Sequence, residues 1–304
     1  MSATKFITAL CTPLSDDDAI HVAGLEAHIE DQLDNGIDSL LVAGTMGFMQ
    51  VLSMETYLQL VAESVRIGNE RAELLVGVGD TGTSTTLARI RAVENLPVDG
   101  LVIVSPYFLK YTQAELIDYF TDLADASKKP LFLYDLPRLT GTKLEISTVL
   151  KLSEHPNIHG IKCSDDFAQS RPLLALQSDQ FRVIIAQPTI LDVLLKAGVR
   201  EHLDGVFGFA PHWIRDMQTA LGKRDWLAVT QIQNQFNELL AAMQSIDASI
   251  FSTTSELLNL RGIPGRMAPK PLRLLSPAEQ ERFRSLPIVQ QALSSEAFAC
   301  EAPR

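Results

Sequence analysis

The sequence predicts an α/β chain folded as a (β/α)8 TIM barrel with a C-terminal helical extension. Three observations carry this. Eight short apolar runs alternate with helical patterns between Phe6 and Phe207, as strand–helix repetition requires. No Gly-rich phosphate fingerprint follows the first run, where a doubly wound nucleotide-binding sheet would carry one. After Pro211 only helical patterns remain. A chain of 304 residues accommodates one such barrel, which takes about 250, together with additions. The expected division is a barrel over 1–210 that carries the site and a helical extension over 211–304 packed on it. No repeat or low-complexity linker separates them.

Residues 6–10 form the first apolar run, ended by Thr12-Pro13. The turn at 15–18 starts a helix with Ile20, Leu25, Ile29 and Leu33 on one face, and Asn35-Gly36 stops it. The second strand, 39–42, runs into the loop Gly44-Thr45-Met46-Gly47, and a helix follows over 53–67. Strands at 74–78 and 100–104 flank a helix at 84–94. The fourth strand ends in Ser105-Pro106-Tyr107-Phe108. An amphipathic run over 113–126 leads to the fifth strand, 130–134, and to Asp135-Leu136-Pro137. The sixth strand is the run ending at Lys162, the seventh is 182–186 with a helix at 189–197, and the eighth is 203–207. The extension reads as helices at 213–221, 226–243 and 253–261, a turn at Gly262-Ile-Pro-Gly265, and a last helix beginning at Pro277.

Composition narrows the function classes. Apolar residues at 46% suffice for a large core, and a net charge of -11 argues against a surface for nucleic acid or anionic membrane. No segment approaches the roughly 18 apolar residues of a membrane span, and the N-terminus lacks a signal-peptide pattern. Cys11, Cys163 and Cys300 form no paired framework. His21, His28, His155, His159, His202 and His212 fall at no metal-ligand spacing. A reduced, cytoplasmic setting is expected, with no metal and no cofactor.

In a barrel, working residues sit where strands end. Lys162 stands at such an end although lysine is rarely buried without a partner, and a desolvated amine is the nucleophile of imine chemistry. The plainer reading is a lysine whose head reaches solvent. Tyr134 and Tyr107 end neighbouring strands. A phenol beside an imine-forming lysine is a proton shuttle, or else a rim aromatic with its hydroxyl in water. Gly44, Thr45, Met46 and Gly47 offer backbone N–H groups at a helix entry to a carboxylate, or form only a tight turn. Phe207 ends the eighth strand and is expected to line the substrate. Cys163, next to Lys162, points to the opposite face and is a packing residue.

Five motifs, in order and at matching spacing, resemble the dihydrodipicolinate synthase/N-acetylneuraminate lyase family. They are Thr12-Pro13, Gly44-Thr45-Met46-Gly47, Ser105-Pro106-Tyr107, Tyr134-Asp-Leu-Pro137 with Thr140-Gly141, and Gly160-Ile-Lys162-Cys-Ser164. The resemblance implies a class I aldolase on a (β/α)8 barrel, and a homotetramer or homodimer. It implies Lys162 as the imine-forming amine toward a 2-oxo acid such as pyruvate, and Tyr134 as proton shuttle. Thr45 and the Met46 N–H would hold the carboxylate.

Five positions depart from the family pattern. Phe48 stands where a glutamate is usual, and Phe108 replaces the second tyrosine of the synthases' hydroxyl relay. Leu139 replaces the arginine that binds a second substrate's carboxylate, with Arg138 one residue early in what reads as an extended loop. Ala186-Gln187 replaces a Gly-Asp pair. The expected activity is therefore a Schiff-base aldolase or lyase joining or splitting a 2-oxo acid and a neutral aldehyde, hydroxylated or apolar. The alternatives are 4-hydroxy-tetrahydrodipicolinate synthase, a sugar-acid dehydratase of the same family, and a non-catalytic metabolite sensor.

Overall fold

Each apolar run becomes one stave of a closed parallel barrel whose strands pair in chain order, β1 to β8. The structure is a computed structural model and describes residues 4–68 and 70–294, so Cys300 and the end of the expected extension lie outside the described residues. The barrel half comprises β1 (Lys5–Ala9), α1 (Val22–Asp34), β2 (Ser39–Val42), α2 (Met54–Gly68), β3 (Glu73–Gly77), α3 (Thr83–Val93), β4 (Gly100–Val104) and α4 (Gln113–Ala126). It continues with β5 (Leu131–Asp135), α5 (Pro137–Thr140), α6 (Ile146–Leu152), β6 (Ile158–Cys163), α7 (Phe167–Ser170), β7 (Arg182–Ile185), α8 (Leu191–Lys196) and β8 (Glu201–Asp204). Helices α9 (Pro211–Lys223), α10 (Trp226–Gln244), α11 (Ile250–Leu260), α12 (Pro277–Arg284) and α13 (Pro287–Leu293) follow. Strands such as SLLV and GLVIV are buried along their whole length, because helices cover the outside while side chains fill the inside.

Several boundaries differ from the sequence expectation. The first helix starts at Val22, since residues 15–19 close a turn (Ser15 N–H to Ala19 O, 2.9 Å) and Leu14 bridges Ile20. Strand β8 ends at Asp204, and Val206–Gly208 is a 3-10 turn. Its apolar content misled because Glu201 belongs to the strand and points inward. The helix expected at 189–197 divides into a 3-10 turn, Pro188–Ile190, and α8.

The N-terminal end of the barrel is plugged by charge. Glu73 pairs with Lys5 at 2.8 Å and with Arg182 at 2.6 Å, and Arg182 pairs with Glu201 at 2.5 Å. The Arg182 guanidinium lies 5.1 Å from the Phe132 ring centre. On β6, Gly160 is in register with Arg182. A Cβ there would come within 2.4 Å of the Arg182 carbonyl oxygen, so glycine is what lets β6 and β7 approach at that level. Side chains alternate across a strand, so Lys162 is the next inward residue above it.

Candidate active site

Lys162 is in register with Tyr134 of β5, and register partners on adjacent strands point to the same face. Both therefore enter the barrel mouth, and both are 4% exposed. The Lys162 Nζ sits 3.9 Å from the centre of the Tyr134 ring, a cation–π contact in a desolvated site. The Tyr134 hydroxyl lies 3.4 Å from Thr45 Oγ1. Burial pushes the phenol's pKa up. The charge of Lys162, with hydrogen bonds from Lys162, Thr45 and Ser164, outweighs that and holds it below the ordinary tyrosine value.

Ser164 was not singled out from the sequence, although it stands two residues beyond Lys162 and so shares its face. Asp204 was missed as well, because the eighth strand was expected to end later. Burial raises the Asp204 pKa, while the N–H of Val206 and the charge of Lys162 pull it down.

The loop after β2 is a set of tight turns, with α2 beginning only at Met54. The expected helix entry at Gly44–Gly47 is therefore absent. Gly44 O accepts from Gly47 N–H at 3.0 Å and Met49 N–H at 3.3 Å, and Thr45 O accepts from Phe48 N–H at 3.3 Å. The N–H groups of Thr45 and Met46 take no part in these bonds. The Met46 side chain lies against Gly205, where an added Cβ would approach Met46 Cγ to 2.8 Å.

Other expectations sort differently. The Tyr107 ring lines a cavity of about 250 Å³ beside Thr45, while its hydroxyl is 3.4 Å from Asp80 Oδ1. Leu139 lines the same cavity and Arg138 does not. The segment is the helical turn α5 and not an extended loop, so consecutive residues diverge by about 100°. Phe207, expected to line the substrate, is fully buried, with its ring 5.6 Å from Phe6 and 6.4 Å from Phe236.

Phe48 is buried edge-on against Phe251 of α11 at 4.9 Å, with φ 65°. Phe108 is 92% exposed with φ 82°. Cys163 is buried, and burial with the nearby Asp135 pushes its thiol up to about 12, so it is inert as a nucleophile. Lys143 pairs with Asp135 and, at 3.0 Å, with Asp165, tying the ends of β5 and β6 together.

The dihydrodipicolinate synthetase family model matches residues 2–291, nearly the whole chain. The chain belongs to that family. Among its relatives, 4-hydroxy-tetrahydrodipicolinate synthase of Streptococcus mutans is 32% identical, covering 94% of this chain and 97% of that one. The synthase of Oceanobacillus iheyensis is 28% identical over the same shares of the two chains. Membership makes the chain an enzyme of the carbon–carbon lyase, aldolase class.

Two solved structures share the fold. The sialic acid aldolase of Ruminococcus gnavus superposes with TM-score 0.88 at 17% identity, covering 97% of each chain. The chloride-inhibited dihydrodipicolinate synthase of Acinetobacter baumannii, solved with pyruvate, gives TM-score 0.84 at 24% identity, covering 96% of this chain and 99% of that one. Among the described residues no group of three or more His, Cys, Asp or Glu side chains gathers as metal ligands would. No helix among them is long and apolar enough to cross a membrane.

Proposed function

We propose that the chain forms an imine between Lys162 and a 2-oxo acid of the pyruvate type, and makes or breaks a C–C bond to an aldehyde. The contact of the Lys162 amine with the Tyr134 ring, and of its phenol with Thr45, carries this reading. The neutral amine attacks the C2 carbonyl, and the carbinolamine loses water as Tyr134 moves the proton. The imine is the electron sink for loss of a C3 proton. The resulting enamine attacks the aldehyde carbon, whose oxygen takes up a proton. Water then releases the 4-hydroxy-2-oxo acid and frees Lys162. Thr45 Oγ1 and the N–H groups of Thr45 and Met46 hold the carboxylate, and the low local dielectric strengthens those bonds.

The synthase reading is the alternative, favoured by the names of the relatives and opposed by two positions. Leu139 offers no donor to a second carboxylate, and Phe108 carries no hydroxyl for a relay. A homodimer or homotetramer fits Phe108 and Leu109, which are 92% and 61% exposed and would be covered by a second copy. Buried, unpaired Cys11 and Cys163 fit a reducing, cytoplasmic setting. The barrel and its helical extension, 1–210 and 211–304, are read as one working unit because Phe251 of α11 packs on the Phe48 loop at the mouth.

Borohydride added with pyruvate tests the central step, since hydride fixes an imine as a stable amine. The expected result is one reduced pyruvyl adduct on the peptide containing Lys162. Equal labelling of Lys162→Ala would remove the basis of the reading.

A further inference from the structure

The cavity of about 250 Å³ shares Thr45 with the Lys162–Tyr134 pair, so it adjoins the imine, and its chemistry narrows the enamine's partner beyond "neutral". Its apolar wall is Met49, Val104, Leu136 and Leu139. No carboxylate, ammonium or guanidinium lines it. The polar groups at its edge are mostly committed elsewhere. Thr45 faces the phenol of Tyr134. The Tyr107 hydroxyl is turned to Asp80. Thr140 is buried, and its hydroxyl is held by the carbonyls of Leu136 and Thr142 at 3.1 and 3.0 Å. Only the Gln50 amide, at the exposed rim, remains to meet a polar substituent.

A polyhydroxylated aldehyde entering this space would lose water from each hydroxyl and find about one partner. An alkyl or aryl body would lose nothing and would fill the wall. We propose that the acceptor is an aldehyde with a hydrocarbon body, alkyl or aryl, and that the product is a 4-hydroxy-2-oxo acid bearing that body at C4. This rests on the imine reading above. The bond formed joins enamine C3 to the aldehyde carbon, the aldehyde oxygen takes one proton, and imine hydrolysis consumes one water.

The test is kcat/KM at saturating pyruvate for propanal, butanal, hexanal and benzaldehyde, against glyceraldehyde and aspartate semialdehyde. Each added methylene should raise kcat/KM roughly fourfold until the cavity is full. Benzaldehyde should exceed glyceraldehyde by about tenfold or more. Leu139→Arg should lower hexanal and raise a carboxylated aldehyde such as succinic semialdehyde. A flat alkyl series, a preference for glyceraldehyde or aspartate semialdehyde, or no condensation with any aldehyde overturns the inference. Borohydride trapping of pyruvate, which needs no aldehyde, separates the two failures. Trapping at Lys162 with poor apolar acceptors defeats the acceptor inference alone. Absence of trapping defeats the imine reading beneath it.

Discussion

At the scale of single residues, the phenol of Tyr134 is the group whose removal is most informative. Its pKa is held below the ordinary tyrosine value by the charge of Lys162 and three hydrogen bonds, which outweigh its burial. A phenol that must be protonated to donate loses function as pH rises through its pKa. The alkaline limb of kcat/KM should therefore fall below about 10 and disappear in Tyr134→Phe, whose turnover drops about 10²-fold or more. Ser164→Ala removes one of those hydrogen bonds and should move the limb upward. An unmoved limb in both variants would assign the proton to another group. That Lys162, Tyr134 and Thr45 come together was legible because all three stand at or just past strand ends, which gather at one mouth of a barrel. Ser164 was legible in principle from its spacing to Lys162. For Phe207 the sequence is silent, since an aromatic after a strand reads the same whether it lines the mouth or packs on the core, and here its ring lies near Phe6 and Phe236.

Among elements, the pairing of β5 with β6 sets the distance between amine and phenol, and Lys143 braces it from outside. Lys143 bonds Asp135, which follows Tyr134, and Asp165, three residues past Lys162. The N–H of Leu144 adds a third tie, to Asp135 Oδ1 at 3.0 Å. Replacing Lys143 by Met leaves the buried Asp135 carboxylate without its cation and lets the two strand ends separate. Turnover should fall about tenfold, within the ~10²-fold that a 1 Å misplacement costs, and Lys143→Arg should recover most of it. Loss in kcat with an unchanged Kd for pyruvate would not be expected from general destabilisation. Equal activity of Lys143→Met and the parent would show that the barrel alone fixes the pair. The strands themselves were readable because doubly covered parallel strands are continuous apolar runs. The start of α2 was readable to within one residue, expected at 53 and found at Met54. The loop before it was not: Gly44 to Gly47 is compatible with both a helix entry and the turns observed, and Phe48 at its end packs on Phe251 of α11, far away in the chain.

For the molecule as a whole, packing of the helices on the closed barrel buries ionisable groups that a linear reading leaves in water, and acid should reveal them. Burial pushes the imidazoles of His28 down to about 3, and of His202 and His212 to about 4. Arg261 adds to the effect at His28 and His212. Below 6.5 the unfolded chain gains these protons and the folded chain does not, so stability declines from pH 6.5 toward about 4. Glu73 adds a later loss. Burial alone would raise its pKa, but Arg182, Lys5 and Ser39 outweigh it and hold it at about 2. Its contribution is complete above the ordinary value of 4.5 and disappears as pH falls toward 2. The urea midpoint, measured at fixed protein concentration because subunit association shifts it, should fall in both windows. Neither ring nitrogen of His28 has a hydrogen-bond partner among the described residues, so His28→Phe keeps the packing and removes a buried polar group. That variant should be at least as stable as the parent at pH 7 and lose less between pH 7 and pH 5. Glu73→Gln should flatten only the lower window, at the cost of lower stability at neutral pH. A His28→Phe protein that lost as much as the parent between pH 7 and pH 5 would show that this imidazole is not the group that packing keeps from its proton.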